Sequence, residues 1–189
     1  SIVDTLTVTR KHTGTNDDLF ARVRNNNFMR IYVPQGSKLI SASGFAKPEL
    51  EHFDIPEDYL GQDTLMESVE INKRVDRESE TVVYDAFGKT VFGNWTITEP
   101  QQETTVTITY KLPYKIEQQD TGRWQKMMGQ EKNQIYYSVF YQKQSGAEHT
   151  NLTSEIVIPD NLHVSWRYPE NAQTENTHIQ NSFPFDQDN

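Results

Sequence analysis

The chain of 189 residues contains no cysteine. That one absence excludes disulfide staples, thiol nucleophiles and cysteine-ligated zinc together, while fixing no compartment. Basic residues are scarce as well: 18 Lys and Arg stand against 27 Asp and Glu, for a formal charge of -9. Such a field repels phosphate-rich polymers and anionic membrane surfaces, so nucleic acid is not an expected partner. No basic patch offsets it, because Lys73, Arg74 and Arg77 are interleaved with Glu70, Asp76 and Glu78. Long apolar runs are also missing, and nothing approaches the roughly 18 residues that a spanning helix needs. The hydrophobic fraction is 34%, and the mean hydropathy of -0.78 is low for a globule. The deficit is concentrated in polar loops and a polar C-terminal stretch, which leaves short apolar segments able to build one core.

Local catalytic patterns are equally sparse. The histidines His12, His52, His149, His163 and His178 form no HxH, HxxxH or HExxH spacing, so no metal site is expected from them. Ser43 beside Gly44 lacks the G-x-S-x-G elbow and S-x-x-K partners. Gly88 and Gly93 match neither phosphate-binding glycine pattern. Gly88 reads instead as a turn, and Gly93 as a bulge or a close backbone approach. Residues 46–67 carry seven acidic residues against one lysine. Glu49, Glu51, Asp54, Glu57, Asp58, Asp63 and Glu67 offer a carboxylate pair for glycoside hydrolysis or a hard-cation site. The stretch lacks the spaced ligands of an EF-hand loop, and a solvated acidic loop with at most one helical turn is the expectation.

What the chain does have is a two-residue period. In the opening SIVDTLTVTR, Ile2, Leu6 and Val8 share one parity, with Thr5, Thr7 and Thr9 on the other. That is the pattern of a strand with one face on a core and one in water. Met29, Ile31 and Val33 alternate with Phe28 and Tyr32; Val69, Ile71 and Val75 align; Val82, Val83, Tyr84 and Phe87 form a run dry on both faces. Val91, Gly93, Trp95 and Ile97 then share a parity, followed after Pro100 by Val106, Ile108, Tyr110 and Leu112, which predicts neighbouring antiparallel strands. Further alternation runs through Ile135, Tyr137, Val139 and Tyr141, then Leu152, Ile156 and Ile158, and last Leu162, Val164, Trp166 and Tyr168. A short helix is expected within 117–133, around Trp124, Met127 and Met128. Strands joined by short turns predict an all-β antiparallel sandwich, immunoglobulin-like or related, over 1–169, with the acidic insertion 46–67 and a polar tail 170–189.

Aromatic side chains supply the one binding hypothesis. Trp124, Trp166 and Tyr168, with Tyr114 and Tyr136, are candidates for a stacking platform that would take a sugar or a peptide. Against that stands the reading in which Trp95 and Trp166, at inward parity, are core residues. Asn94 in NWT and Asn151 in NLT match the N-glycosylation pattern.

The blocks MRIYVPQGSKLISASGF (29–45), GKTVFGNW (88–95), YKLP (110–113), YYSVFYQKQSG (136–146) and SEIVIPDN (154–161) occur in one order. Together they resemble the C-terminal region of an uncharacterised family of membrane-anchored bacterial proteins, domain of unknown function 4012. The resemblance implies an N-terminal membrane anchor outside this sequence and a cell-surface, extracytoplasmic location, and it supplies no catalytic residues. The strand-like start at Ser1 likewise suggests a piece of a longer protein. The expected function is a non-catalytic structural or protein-interaction domain with no cofactor, its partner a surface protein or a cell-envelope glycan. A carbohydrate-binding module and a cell-wall hydrolase using the loop carboxylates are the alternatives.

Overall fold

Alternation of β-branched and polar residues is realised as strands almost wherever it is continuous and bounded by proline or glycine. A computed structural model of the chain describes residues 2–15, 17–49, 51, 63–115, 135–142, 150–175 and 177–184. The described residues fall into two compact units, Ser1–Ile135 and Tyr136–Asn189. The first contains β1 (Val3–Lys11), β2 (Asn25–Pro34), β3 (Lys38–Ser43), a short α1 (Thr64–Val69), β4 (Ile71–Val75), β5 (Val82–Ala86), β6 (Lys89–Thr98) and β7 (Glu103–Lys111). Every pairing is antiparallel. One sheet runs β1-β7-β3 and the other β2-β6-β5-β4. The protein is all-β, and this unit is a two-sheet sandwich.

Its core is the inward parity of both sheets. Val33, Val83 and Phe92 from the four-stranded sheet meet Ile108, Tyr110 and Leu112 from the three-stranded one, and Ile31, Leu39, Ala42 and Phe45 pack around them. Phe92 and Tyr110 touch with ring centroids 5.7 Å apart. Each such fully buried side chain contributes about 1.5–3 kcal/mol of apolar burial. Turn chemistry fixes the register. Ser37 N donates to Pro34 O at 3.1 Å around Gly36, whose φ of 89° requires glycine. Phe87 (φ 53°) and Gly88 (φ 69°) form the two-residue turn between β5 and β6, so the glycine–lysine pair there is a hairpin and not a phosphate loop.

Three strand expectations need correction. β6 and β7 are not neighbours: Pro100 and Gln101 (φ 63°) turn the chain from one sheet into the other, and β7 pairs with β1 and β3. Alternation reports which face of a strand is dry, not which strand lies beside it. β6 also buries both faces. Phe92, Asn94, Thr96 and Thr98 lie on the inward parity, while Val91 joins Tyr84 and Ala86 in a second cluster on the outer face, with Val69 and Val82 packed on it. Trp95, on the parity of Val91, therefore belongs to the outer face and not to the core between the sheets. Finally, β4 is an exposed edge: Ile71 is 51% and Val75 60% accessible, although Val69 is packed as expected.

The second unit holds β8 (Asn151–Val157), β9 (Gln173–Glu175) and β10 (His178–Pro184) in the order β8-β10-β9. Segment 170–189, read as a polar tail, thus supplies two strands. Across the β8–β10 ladder Ile179 faces Ile156 and Phe183 faces Leu152. Residues 135–142 and 158–172 form no strand despite their alternation. The helix expected in 117–133 lies wholly outside the described residues, as does 52–62 of the acidic loop; Asp63 caps α1 by accepting from Leu65 N at 2.8 Å.

Candidate functional site

The outer face of the four-stranded sheet gathers chemistry that alternation alone does not show. β2 turns Phe28, Arg30 and Tyr32 onto this face, opposite Met29 and the core-packed Ile31 and Val33. Across the ladder, Phe28 faces Trp95, Arg30 faces Gly93 and Tyr32 faces Val91. Gly93 is what makes room. A Cβ there would lie 2.8 Å from Phe28 Cζ and 3.7 Å from Tyr84 Cε1, so the two rings lean over bare backbone. The close approach read from the sequence is present, and the β2–β6 register runs through Gly93 without a bulge.

On that bed the polar groups brace one another. Phe28 and Trp95 meet edge to face at 5.2 Å, and the Arg30 guanidinium sits 5.2 Å from the Phe28 centroid. Arg30 Nε donates to Tyr84 Oη at 3.0 Å. Glu70, directly after α1, has a side chain only 11% accessible and receives Lys73 Nζ at 2.9 Å and Arg30 Nη2 at 3.8 Å. Burial pushes the Tyr84 phenol up from its ordinary value; Glu70 and Tyr32 add to the effect, and Arg30 opposes it. Tyr84 is therefore a neutral hydrogen-bonding group over the usual pH range and not a base. What the face presents outward is two half-exposed cations and Tyr32, 49% accessible, on an aromatic floor. The signals in the sequence were the second parity of β2 and a glycine in mid-strand.

Beside this face, the β4–β5 loop is tied down by its own side chains. Asp76 accepts from Ser79 N (3.0 Å) and Ser79 Oγ (2.7 Å), which hold its carboxyl below the usual range, the hydroxyl contributing most. Asn94 Nδ2 donates to Ser79 O (2.9 Å) and Thr81 Oγ1 (3.0 Å) from a side chain buried in β6. Of the two glycosylation patterns, Asn94 is thus occupied structurally, whereas Asn151 is exposed at the start of β8. An open groove of about 560 Å³ lies at the sandwich edge, lined by Lys38, Leu39, Arg74, Arg77, Glu78 and Val83 among others. Asp85 is likewise held low, by Asn72 first and then Thr90.

The sequence-predicted site residues fare unevenly. Trp166 and Tyr168 lie in the second unit, 76% and 82% accessible. Trp166 is therefore a surface residue and not core. Trp124 lies outside the described residues. Tyr136 is exposed in the second unit and Tyr114 is 46% accessible in the first. His12 is a loop brace: its Nδ1 accepts from Gly14 N at 3.1 Å, which leaves Nε2 to donate to Val23 O at 3.0 Å. His178 contacts Glu155 at 2.7 Å across β10 and β8. Among the described residues no three His, Asp or Glu side chains gather as a metal site. No helix of the described residues is long and apolar enough to cross a membrane. No protein-family model, curated protein or solved structure matches the chain.

Proposed function

We propose that this chain is a non-catalytic structural or protein-interaction module of a cell-surface protein, working outside the cytoplasm. The observation that carries the reading is the braced outer face around Phe28, Arg30, Tyr32, Tyr84 and Trp95. Aromatic rings and arginine held in fixed geometry contribute strongly to protein interfaces because little entropy remains to be lost on binding. The extracytoplasmic setting rests on the family resemblance of the blocks from 29 to 161.

Affinity enrichment from cell-envelope protein fractions with the wild-type chain and with Arg30→Ala/Tyr32→Ala tests it. A partner retained by the wild type and lost by the variant is the expected result. Release of new reducing ends from purified cell-wall polymer by the chain would overturn it. The exposure of Trp166 and Tyr168 favours a second reading, a carbohydrate-binding module for envelope glycans. Titration with cell-wall fragments decides that: binding unchanged in Trp166→Ala/Tyr168→Ala removes the platform.

A further inference from the structure

The two open sheets of the first unit leave four edge strands, and three of these are blunted or unmatched. The edges are β1, β3, β2 and β4. β3 begins on Lys38 and slips register around Ile40. β4 is five residues long, slips register around Asn72 at φ 56°, and carries Lys73 and Arg74. Bulges and cations of this kind keep a sheet edge from recruiting another strand. β2 ends on Pro34 and carries Arg30 with no acidic residue within the strand that a second copy of β2 could set against it. β1 differs from all three. Its nine residues pair with β7 without a slip, contain neither proline nor glycine, and are uncharged from Thr5 to Thr9.

The backbone of β1 is also turned the right way. Ile2 O accepts from Leu112 N at 3.0 Å, and His12 exchanges both backbone groups with Gln101 and Gln102 at 2.9 Å. With register unbroken between them, the even residues of β1 direct their N–H and C=O groups to β7. Val3, Thr5, Thr7, Thr9 and Lys11 then direct theirs to the open edge. The side chains agree. Thr5–Thr109, Thr7–Thr107 and Thr9–Thr105 hydroxyls meet at 3.1, 3.2 and 2.8 Å, at the non-hydrogen-bonded pairs where cross-strand side chains come closest.

We propose that the β1 edge is a homodimerisation surface, on which a second copy of this chain adds its own β1 antiparallel about a two-fold axis at Thr7. The proposal deepens the interaction-module reading, on which it rests, by naming a partner. A two-fold axis normal to the sheet keeps each face on its own side, so odd residues meet odd and even meet even. Centred on Thr7, the strands overlap over their whole length. Thr5 faces Thr9, Val3 faces Lys11, Leu6 faces Val8 and Asp4 faces Arg10, each twice. Centring on Leu6 sets Asp4 against Val8 and Arg10 against Ile2; centring on Val8 sets Arg10 against Leu6. Charge complementarity therefore selects Thr7. Both partners are in place for it: Asp4 uses Oδ2 to accept from Tyr110 Oη at 2.6 Å, and Arg10 is exposed and makes none of the salt bridges found among the described residues.

Sedimentation velocity of the full chain over a wide concentration range tests the proposal, with far-UV circular dichroism confirming that each variant is folded. A reversible dimer is expected. Arg10→Glu sets carboxylates against Asp4 at both ends and should weaken it about 10-fold or more. Thr7→Pro removes an edge-facing N–H, which an edge strand tolerates, and should abolish it. Asp4→Lys alone should also be monomeric, while mixing it with Arg10→Glu restores a dimer, because opposite charges then meet at both ends. A chain monomeric at every concentration, or a dimer indifferent to Arg10→Glu and Thr7→Pro, overturns the proposal. A monomer that still retains an envelope partner overturns the dimer alone; an intact dimer with no such partner counts only against the outer-face reading.

Discussion

Replacing Gly93 with alanine asks whether the outer face is built around a missing side chain. The added Cβ would stand 2.8 Å from Phe28 Cζ and 3.1 Å from Phe28 Cε1. Ordinary carbon contacts lie near 3.5–4.0 Å, so the ring must retreat by about 0.7 Å or more. It is not free to do so, with Trp95 at 5.2 Å on its edge and Arg30 at 5.2 Å from its face. Overpacking of this kind costs about 1–3 kcal/mol. Opposing it, alanine restricts the unfolded chain and returns about 0.4–1 kcal/mol, since Gly93 does not use a positive φ. Gly93→Ala should therefore lose about 1 kcal/mol net. The sharper expectation is a change of sign. In a Phe28→Ala background the clash is gone, and the same substitution should stabilise by about 0.4–1 kcal/mol. Urea unfolding followed by far-UV circular dichroism reads both legs of the cycle. Equal midpoint shifts in the two backgrounds would refute the argument, because the coupling it requires is at least about 1 kcal/mol.

Phe87, exposed and at φ 53° in the β5–β6 turn, occupies a position that asparagine prefers; Phe87→Asn should raise stability by about 0.5–1 kcal/mol in urea unfolding. Asp76 and Asp85 have folded-state pKa values below the ordinary 3.8. Their contribution is full above that value and is lost as pH falls through the lower folded-state one, so Asp85→Asn and Asp76→Asn should flatten the acid-side fall in urea midpoint between neutral pH and about pH 3. Asn94→Ala unties Ser79 O and Thr81 Oγ1 and should cost about 1–3 kcal/mol, whereas Asn151→Ala should change stability by less than about 0.5 kcal/mol; similar melting shifts for the two would contradict the loop-anchoring role of Asn94.

Legibility followed the physics of each segment. Met29, Ile31 and Val33 against Phe28 and Tyr32, and the threonine parity of β1 and β7, could be read directly because a half-buried strand sorts its side chains by face. The order of the strands could not, since pairing between β7 and β1 joins residues about a hundred positions apart and leaves no local trace. β6 was misread because a strand dry on both faces has no polar parity; its inward Asn94, Thr96 and Thr98 look solvated in sequence and are buried. Trp166 and the segment around it failed for the opposite reason. Alternation is necessary for a half-buried strand but does not supply a partner, and residues 158–172 pair with no strand among the described residues. The cluster of Arg30, Glu70, Lys73 and Tyr84 was invisible because its members come from three strands and the end of a helix.

The two outer faces of the sandwich arise from the same two-residue period yet have different chemistry, and the difference bears on where a partner would act. The face of β1 and β7 is a field of threonine hydroxyls already paired across the ladder at 2.8–3.2 Å, so a ligand there must displace bonds as well as water. The face of β2 and β6 is apolar at its floor. Val69 covers it where Tyr84, Ala86 and Val91 cluster, but Phe28 and Tyr32 lie on the far strand, beside cations whose counter-ion among the described residues, Glu70, is itself mostly buried. An acidic or aromatic partner docking there would desolvate groups that are already ordered, whereas on the threonine face it would first have to undo order. The face of β2 and β6 is consequently suited to side-chain recognition. In the three-stranded sheet the odd residues of β1 direct their backbone groups to the sheet edge, and the proposed recognition there runs through the backbone.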